Sequence, residues 1–282
     1  MDLKSPLVVS LEITSSCNLN CLYCYADPIC GGHMHKLVFF DLIDSLLKQG
    51  VFKIHLSGGE PFLHPDIFEI LKFSDDRQID PALSTNGVVL NKQMIEKYSQ
   101  VFTNAALRRI QISLDSHIEK IHNLTRGFFK EIMHNIELLI ENKIDITIGI
   151  VVHKQNLPNI SDMINYFYPD IKSYHLMNVM PCKRVIDNAD FLVVSRKELD
   201  SFYRQLHLEV KNKYPGIILN SPFSEFDCIE AEESIECERC FAGYTRIAIT
   251  PDLKVLPCPI SRNVIMGDLN CNNLTDIWKS DV

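Results

Sequence analysis

The amino-acid sequence predicts an α/β fold, in which helices cover a parallel sheet and a small loop-rich region follows towards the C-terminus. Two observations support this prediction. Through the first 182 residues, short β-branched runs alternate with longer amphipathic stretches, and such alternation is typical of parallel sheets. Beyond that point the alternation stops, and prolines, glycines and cysteines punctuate the chain.

Six predicted strands share a high content of β-branched and other apolar residues, which favours extended backbone. They are residues 7–13, 52–56, 81–84, 109–114, 145–152 and 173–178. Residues 146–152 read Ile-Thr-Ile-Gly-Ile-Val-Val and are nearly all apolar. A run of this kind is expected for a strand that is buried on both faces of the sheet.

Predicted helices occupy the intervals between the strands, where apolar residues recur at spacings of three and four. They are residues 38–49, 65–75, 91–99, 128–142 and 159–166. Within 128–142, Phe129, Ile132, Met133 and Ile136 lie on one helix face. Such a face is expected to cover the sheet.

The region after residue 182 is predicted to hold one long helix, a hairpin and a short final helix. The long helix spans residues 195–213 with Ser195 as its N-cap, because a serine hydroxyl accepts hydrogen bonds from free backbone N–H groups. The hairpin joins residues 246–250 to 254–256, and the final helix covers 274–279. A region this small and loop-rich is expected to need a staple such as a metal cluster.

Length and charge exclude several classes of function. The chain has 282 residues and a net charge of −8, and an acidic chain has no bulk attraction for nucleic acid or an anionic membrane. The N-terminus lacks the apolar segment of a signal peptide, and no apolar run reaches the ~18 residues of a membrane span. We therefore expect a cytoplasmic protein without a nucleic-acid or membrane partner.

Seven of the ten cysteines fall in two groups, one near each end of the chain. In a reducing compartment, such clustering indicates metal ligands or catalytic thiols rather than disulfides. The groups are Cys17, Cys21, Cys24 and Cys30, and then Cys237, Cys240 and Cys258.

The first group places the thiolates of Cys17, Cys21 and Cys24 within eight residues of loop after the first strand. Thiolates are the ligands of iron–sulfur clusters, and three ligands for four irons leave one iron open for chemistry. A structural zinc site is the alternative, since Cys30 or a nearby histidine offers a fourth ligand. The expected position at the mouth of a parallel barrel favours chemistry.

The Cys-x3-Cys-x2-Cys spacing, with Tyr23 before the last cysteine, resembles the signature of radical S-adenosylmethionine (radical SAM) enzymes. The resemblance implies a partial (β/α)6 TIM-like barrel over residues 1–182 and a small C-terminal iron–sulfur domain over 183–282. It also implies a 4Fe–4S cluster whose open iron binds S-adenosylmethionine, which is cleaved to a 5′-deoxyadenosyl radical that takes hydrogen from a substrate. Tyr23 is expected to lie against the adenine, with simple packing as its alternative role.

Residues 57–61 resemble the Gly-Gly-Glu-Pro element of the same enzymes, with an ordinary turn as the alternative. Gly58 and Gly59 allow the backbone to approach a ligand closely. Glu60, followed by Pro61, is expected to accept hydrogen bonds from the methionine ammonium group.

Three further segments at successive strand ends resemble S-adenosylmethionine contacts, although each alone is also typical of a turn or a surface side chain. Ser84 and Asn86 are expected to face the ribose, and Ser113 and Asp115 lie at the expected barrel mouth. Arg126, in a His-x3-Arg-Gly segment, is expected to pair its planar fork with the methionine carboxylate.

Several positions are left with two interpretations. Ile150 and Val152 either form an adenine wall or lie in the core. Cys182 is either inert or a hydrogen donor to a substrate radical. Lys183 and Leu253 stand where glycine is common in these enzymes, so a close approach of the backbone to a ligand is not expected at Lys183, and the hairpin turn at Leu253 is expected to differ.

The second cysteine group resembles the start of a SPASM domain, or of its half-length form called twitch. In these domains an auxiliary 4Fe–4S cluster sits between cysteines that flank a hairpin, and Cys240 and Cys258 match them. The resemblance implies one auxiliary cluster bound by Cys237, Cys240, Cys258 and a fourth group, for which Cys228 is the first candidate and Cys271 the second. A structural zinc on the same thiolates is the alternative.

The favoured function is radical hydrogen abstraction from a peptide or peptide-like substrate, leading to a cross-link, an epimer or an oxidised residue; this rests on family analogy. Expected partners are an electron donor such as flavodoxin or ferredoxin, and a separate peptide-binding protein. The alternatives are an oxidase or cofactor-maturation enzyme for a small molecule, and a non-catalytic metal-binding module. A peptide is expected to need a groove continued by a sheet edge, whereas a small molecule needs a closed barrel mouth.

Overall fold

The computed structural model describes residues 3–26, 32–77, 82–97, 110–222 and 240–280. Three of the ten cysteines, Cys30, Cys228 and Cys237, lie outside these residues. The first residue of each predicted strand at 81–84 and 109–114, and the last two residues of the predicted helix at 91–99, lie outside them as well.

In the described part of the chain, ten strands form one sheet, and the six predicted strands are confirmed to within two residues at each described end. The strands are β1 (Val8–Thr14), β2 (Lys53–Gly58), β3 (Ala82–Thr85), β4 (Ile110–Ser113), β5 (Ile146–Val152), β6 (Ser173–Asn178), β7 (Ile218–Asn220), β8 (Arg246–Ile249), β9 (Lys254–Leu256) and β10 (Gly267–Asp268). Their order in the sheet is β10-β9-β8-β1-β2-β3-β4-β5-β6-β7. From β8 through β1 to β7 every neighbouring pair is parallel.

Helices connect the parallel strands, as the amphipathic patterns predict. They are α1 (Lys36–Lys48), α2 (Ile67–Asp76), α3 (Lys92–Lys97), α4 (Glu119–Asn123), α5 (Phe129–Glu141), α6 (Ile160–Phe167), α7 (Lys183–Asp187), α8 (Ala189–Leu192), α9 (Arg196–Lys213) and α10 (Leu274–Lys279). Ser195 caps α9 in a reciprocal capping box, because its hydroxyl accepts from Glu198 N while the Glu198 carboxylate accepts from Ser195 N. Strands β7 and β10 and the short helices α4, α7 and α8 were not predicted.

The core lies between the sheet and the helices and takes one face of each strand. In β5, Ile146, Ile148, Ile150 and Val152 are buried in this core, while the alternate residue Val151 is only half-buried. The prediction of a strand buried on both faces is therefore confirmed for one face and only in part for the other, where Gly149 is buried and Thr147 and Val151 are half-buried. Ile150 and Val152 take the core role rather than that of an adenine wall.

The C-terminal hairpin extends the barrel sheet. Strand β8 pairs in parallel with β1, and β9 and β10 follow in antiparallel order. Residue Leu253 in the hairpin turn has φ 68°, a left-handed conformation that explains why glycine is common there. Helix α10 closes the arrangement, since Trp278 Nε1 donates to Leu3 O at 2.8 Å. The division of the chain at residue 182 stays a prediction.

Within the described ranges, none of the helices has both the length and the apolar character needed to traverse a membrane.

Candidate active site

The carboxyl ends of the parallel strands gather the predicted motifs at one edge of the sheet. The loop after β1 carries the three cysteines, and the turns after β2, β3 and β4 carry Glu60, Asn86 and Asp115. Ligand sites of parallel α/β folds occupy this edge, so the strand topology supports the order of motifs that the sequence shows.

The three thiols of the first group lie close together in a largely buried loop. Burial raises the pKa of Cys17, Cys21 and Cys24, and in Cys24 the neighbouring Cys21 adds to burial and brings the pKa to about 11. Thiolates that repel one another need a positively charged metal partner.

The donor set of the first group fits an iron–sulfur cluster. Thiolates are the ligands that such clusters require, and a cubane binds each thiolate to a separate iron. Cys17, Cys21 and Cys24 would hold three of four irons and leave one open.

The glycines after β2 fasten the backbone that leads into the cysteine loop. A Cβ atom at Gly58 would lie 2.2 Å from Thr14 O, and one at Gly59 would lie 2.2 Å from Ser16 O. This contact lets Gly59 N donate to Thr14 O and Glu60 N donate to Ser16 O, both at 2.7 Å. The close approach that the sequence indicates is thus made to this chain's own backbone.

Glu60 is 1% exposed and joins the ends of β2 and β3. Its carboxylate accepts from Thr85 Oγ1 at 2.7 Å, from Asn86 N at 2.7 Å and from Phe62 N at 3.1 Å. Burial raises the pKa of Glu60, and the hydrogen bond from Asn86 N is the largest effect that opposes the shift. Pro61 begins the short 3-10 turn that positions Phe62.

Asn86 and Ser84 have different neighbours, although both were expected to face the ribose. Asn86 Nδ2 donates to Asn18 Oδ1 at 2.8 Å, so it holds the cysteine loop from the β3 side. Ser84 Oγ lies 2.9 Å from His55 Nε2, on the face of the sheet that lines the barrel interior. Asn18 carries no signal in the sequence that indicates this contact.

Asp115 is fully buried, and four donors surround its carboxylate. They are Arg126 Nε at 3.0 Å, Thr125 Oγ1 at 3.0 Å, Val151 N at 3.2 Å and the Tyr23 hydroxyl. Burial acts to raise the pKa of Asp115, but the charge of Arg126 leads the effects that hold it below the ordinary value. Tyr23 thus directs its hydroxyl inward to this carboxylate, and its ring is nearly buried.

Arg126 connects Asp115 to the first cysteine group. Its Nε donates to Asp115, its Nη1 lies 3.8 Å from Cys21 Sγ, and its guanidinium carbon lies 5.2 Å from the centre of the Tyr23 ring. The expected pairing with a methionine carboxylate stays a prediction.

His122 is a site residue to which the sequence assigned no role. The buried imidazole accepts from Asp115 N at 3.3 Å and lies 3.1 Å from Gly127 O. Burial lowers the pKa of His122 to about 4, so the ring is neutral at pH 7 and donates through Nε2. The His-x3-Arg-Gly spacing is the signal that could have identified it, because it brackets Arg126.

Cys182 lies beside the cysteine loop, at the position that precedes α7. Its thiol is 3.7 Å from Tyr23 O and 3.6 Å from Cys24 O. Arg184, two residues later, donates to Cys21 O at 3.1 Å and to Asn20 Oδ1 at 2.6 Å. Lys183 is absent from the described residues with positive φ, so the lysine fits the backbone here. A hydrogen-donor role of Cys182 stays a prediction.

A group of uncharged polar side chains lines part of the barrel interior, and the charge of Lys53 lies near it. Gln111 Oε1 lies 2.7 Å from His175 Nδ1, and it reaches across β5 because Gly149 has no side chain; a Cβ there would lie 2.5 Å from Gln111. Burial lowers the pKa of His55 to about 4 and also lowers that of His175, so both rings are neutral at pH 7. Ser113, on β4 with Gln111, is half-buried on the same face.

The second cysteine group is only partly described. Cys240 is exposed and Cys258 half-buried. The two segments that carry these cysteines are joined, because Gly243 N donates to Pro257 O at 3.1 Å. Cys228 and Cys237, both predicted ligands, lie outside the described residues. Cys271 follows Asp268, which pairs with Lys254 at the far end of β9.

A buried ion pair joins the two cysteine groups. Arg262 makes two hydrogen bonds to Glu12, at 2.8 and 2.6 Å, and its guanidinium carbon lies 5.6 Å from the centre of the Tyr25 ring. Burial raises the pKa of Tyr25, and nearby Cys24 and Cys258 add to the shift, so this ring lies between the groups. Neither Glu12 nor Arg262 was predicted as a site residue.

The part of the chain that forms this site matches a known protein family. The family model described as the radical SAM superfamily matches residues 11–167, which is more than half of the chain. The chain belongs to the radical SAM superfamily. A second model, the SPASM iron–sulfur cluster-binding domain, matches residues 218–282. Both resemblances seen in the sequence are confirmed, and they imply iron–sulfur clusters and S-adenosylmethionine as cofactors.

Relatives of this radical SAM enzyme act on diverse substrates. It is 30% identical over 289 residues to a probable GTP 3′,8-cyclase of Methanococcus maripaludis, covering 92% of this chain and 87% of that one. It is 24% identical over 291 residues to a PqqA peptide cyclase of Granulibacter bethesdensis, covering 98% and 74%. The crystal structure of Streptococcus suis SuiB bound to precursor peptide SuiA matches with a TM-score of 0.82 at 16% identity, covering 99% and 65%. The structural match confirms the α/β partial barrel.

Proposed function

We propose that this radical SAM enzyme abstracts hydrogen from a peptide and so introduces a cross-link, an epimer or an oxidised residue. Cys17, Cys21 and Cys24 hold the 4Fe–4S cluster, and Glu60 accepts the methionine ammonium group. Together the bound cluster and S-adenosylmethionine supply a 5′-deoxyadenosyl radical. The chain's own side chains bind the substrate and exclude water around it.

The observation that carries the proposal is a row of uncharged polar side chains that crosses the barrel and ends at a sheet edge. It begins with His55 and Ser84, continues through Gln111 to His175, and reaches Asn220, which pairs with His175 in the register of β6 and β7. Strand β7 has a partner only on its β6 side within the described part of the chain. An extended peptide can add to such an edge through main-chain hydrogen bonds.

The uncharged groups of this row favour amides over phosphates, and the nearby charge of Lys53 lies outside the row. His55 and His175 are neutral at pH 7 because burial lowers the pKa of each, and Gln111 both donates and accepts. Phosphate groups are bound by arginine forks and lysines. A GTP-like substrate, which the methanogen relative suggests, is therefore the second candidate.

A single auxiliary 4Fe–4S cluster is proposed for the second group, with Cys237, Cys240, Cys258 and Cys228 as ligands. The position of Cys271 supports Cys228 as the fourth, because Cys258 follows the C-terminal end of β9, whereas Cys271 follows Asp268 of β10, which pairs with Lys254 at the N-terminal end of β9.

The remaining site residues keep their proposed roles in binding S-adenosylmethionine. These residues are Tyr23, Gly58, Gly59, Pro61, Ser84, Asn86, Ser113, Asp115 and Arg126. A flavodoxin- or ferredoxin-like protein is the proposed electron donor, and a separate protein is proposed to present the peptide.

The test uses enzyme reconstituted under argon, with titanium(III) citrate and S-adenosylmethionine. Short peptides encoded beside its gene form one arm, and GTP forms the other. We expect a peptide to change mass and, when deuterated, to pass deuterium into 5′-deoxyadenosine. Conversion of GTP with every peptide unchanged contradicts the proposal.

Gln111→Leu provides a sharper form of the same test. The variant keeps its volume but loses its hydrogen bonds in the barrel interior, so turnover of the peptide should fall about tenfold or more. Formation of 5′-deoxyadenosine without peptide should stay at the wild-type rate. Equal turnover of peptide by variant and wild type would show that Gln111 and the polar side chains beside it are not part of the substrate site.

A further inference from the structure

The guanidinium of Arg126 divides its hydrogen bonds between a carboxylate and a cluster thiolate. Nε donates to Asp115 Oδ2 at 3.0 Å, while Nη1 points to Cys21 Sγ at 3.8 Å, within range for a donor to sulfur. The side chain is 9% exposed. The two contacts use different nitrogens of one rigid plane, so fixing the first contact also fixes the second.

Asp115 is anchored from several elements, which is why Arg126 cannot shift. The Thr125 hydroxyl and the Val151 N–H, from the α4–α5 turn and from β5, donate to the carboxylate, and so does the Tyr23 hydroxyl. The backbone adds a direct link, since Leu22 N donates to Thr125 O at 2.9 Å. The cysteine loop and the turn that carries Arg126 are therefore one rigid unit.

A hydrogen bond to a cluster-bound sulfur changes the energy of the reduced state. Reduction adds negative charge that spreads onto the sulfurs, so an N–H donor stabilises the reduced cluster more than the oxidised one. The opposite charges of Arg126 and Asp115 largely cancel at longer range. What remains for the cluster is mainly the local N–H dipole directed at Cys21.

We propose that Arg126, positioned by Asp115, raises the reduction potential of the cluster held by Cys17, Cys21 and Cys24 through its hydrogen bond to Cys21. The inference rests on the cluster, which family membership implies, and not on the proposed peptide substrate. It differs from the carboxylate pairing that the sequence suggests, because it requires Arg126 to act before S-adenosylmethionine binds.

The test is a redox titration followed by electron paramagnetic resonance, without S-adenosylmethionine or substrate. Arg126→Lys keeps the charge opposite Asp115 but loses the second arm of the fork. At a fixed potential we expect about tenfold less reduced cluster, equivalent to ~59 mV for one electron. The double variant Asp115→Leu/Arg126→Met removes both charges without leaving one unpaired, and the same negative shift is expected.

A matched variant separates tuning from general disturbance of the loop. Arg184→Lys keeps the positive charge but loses the fork of an arginine that donates to the Cys21 carbonyl at 3.1 Å, and it leaves the Arg126 contact with sulfur in place. Its potential is expected to stay close to wild type. Iron content and the far-ultraviolet spectrum are recorded for every variant.

The outcomes are distinct. Full iron content with an unchanged potential in both Arg126 variants overturns the proposal, and so does loss of iron in both, since Arg126 would then be only a scaffold. An unchanged potential together with weaker S-adenosylmethionine binding would assign Arg126 to the methionine carboxylate instead. A failed peptide assay with a shifted potential would count against the proposed function alone.

Discussion

The two cysteine groups differ in how much of their geometry the polypeptide supplies. The first group lies in a largely buried loop that is held by Gly59, Asn86, Arg126 and backbone contacts. In the second group Cys240 is exposed and Cys258 half-buried, and the described hydrogen bonds beside them join backbone groups of the hairpin region. The polypeptide therefore pre-forms the first cluster site, whereas the region around the second site is expected to depend on its cluster for stability.

The largest expected effect of this difference comes from removing one thiolate from each group. Cys24→Ala should abolish cleavage of S-adenosylmethionine, because the first cluster is lost. Cys258→Ala should lose about half of the iron and keep cleavage without substrate. Iron analysis and chromatography of 5′-deoxyadenosine measure both.

Cys271→Ala is the matched control, and it should keep all of the iron. Loss of iron to the level of Cys258→Ala would make Cys271 a ligand. Complete loss of iron in Cys258→Ala would show that the two sites are not independent.

The next effect concerns the turn that fastens the first loop. In Gly59→Ala the new methyl group would lie 2.2 Å from Ser16 O, so the turn must shift and the cysteine loop with it. We expect destabilisation by about 3 kcal/mol or more and poor iron uptake, measured by urea unfolding and iron analysis.

Gly50→Ala is the comparison, since nothing lies within 4 Å of its Cβ and its φ is +82°. It should cost only about 1–2 kcal/mol and leave iron uptake intact. Equal loss of iron in the two variants would mean that the contact with Ser16 O does not hold the loop.

A smaller effect is expected when the stability of the cluster-free protein is measured at decreasing pH. His122 has an ordinary pKa of 6.5 and a folded pKa of about 4, so between these values the unfolded chain binds a proton that the folded chain does not. Stability should therefore fall as pH drops from about 6.5 to 4, by ~1.4 kcal/mol per pH unit for this group. His122→Gln should flatten the dependence in urea unfolding, and an unchanged slope would contradict it.

The smallest effect is expected at the hairpin of the second region. Leu253 holds φ 68°, so Leu253→Gly removes about 1 kcal/mol of backbone strain while losing a similar amount from a half-buried side chain. The change in unfolding free energy should stay within about 1 kcal/mol. A loss well beyond that would show that packing of Leu253, rather than its backbone, holds the turn.

The sequence predicts much of the fold because its patterns are local. The core faces of α5 and β5 are visible as spacings of apolar residues, and the Ser195 cap is visible as a single residue type. Strand β7 has three residues and no pattern of its own, since pairing with β6 alone makes it a strand. The parallel pairing of β8 with β1 joins residues that are far apart in the chain, and local reasoning cannot supply that.

The candidate site was predictable as a set of residues but not as a set of contacts. Cys21, Tyr23, Asp115 and Arg126 were each singled out, yet their mutual bonds join positions about a hundred residues apart. Each was therefore assigned to a cofactor atom, whereas the structure shows several of them also bonded to one another. Glu12 and Arg262 were missed because an ion pair across 250 residues leaves no local signal.

The pairing of β1 with β8 also bears on how the protein is made. Strand β1 is synthesised before its second neighbour, which begins only at Arg246, and the tether from Trp278 to Leu3 forms later still. Until Arg246 emerges, β1 presents a bare hydrogen-bonding edge, which invites association with other chains. A nascent chain that stalls or is cut before residue 246 is thus expected to aggregate, and chaperone protection of this edge should matter most before that residue emerges.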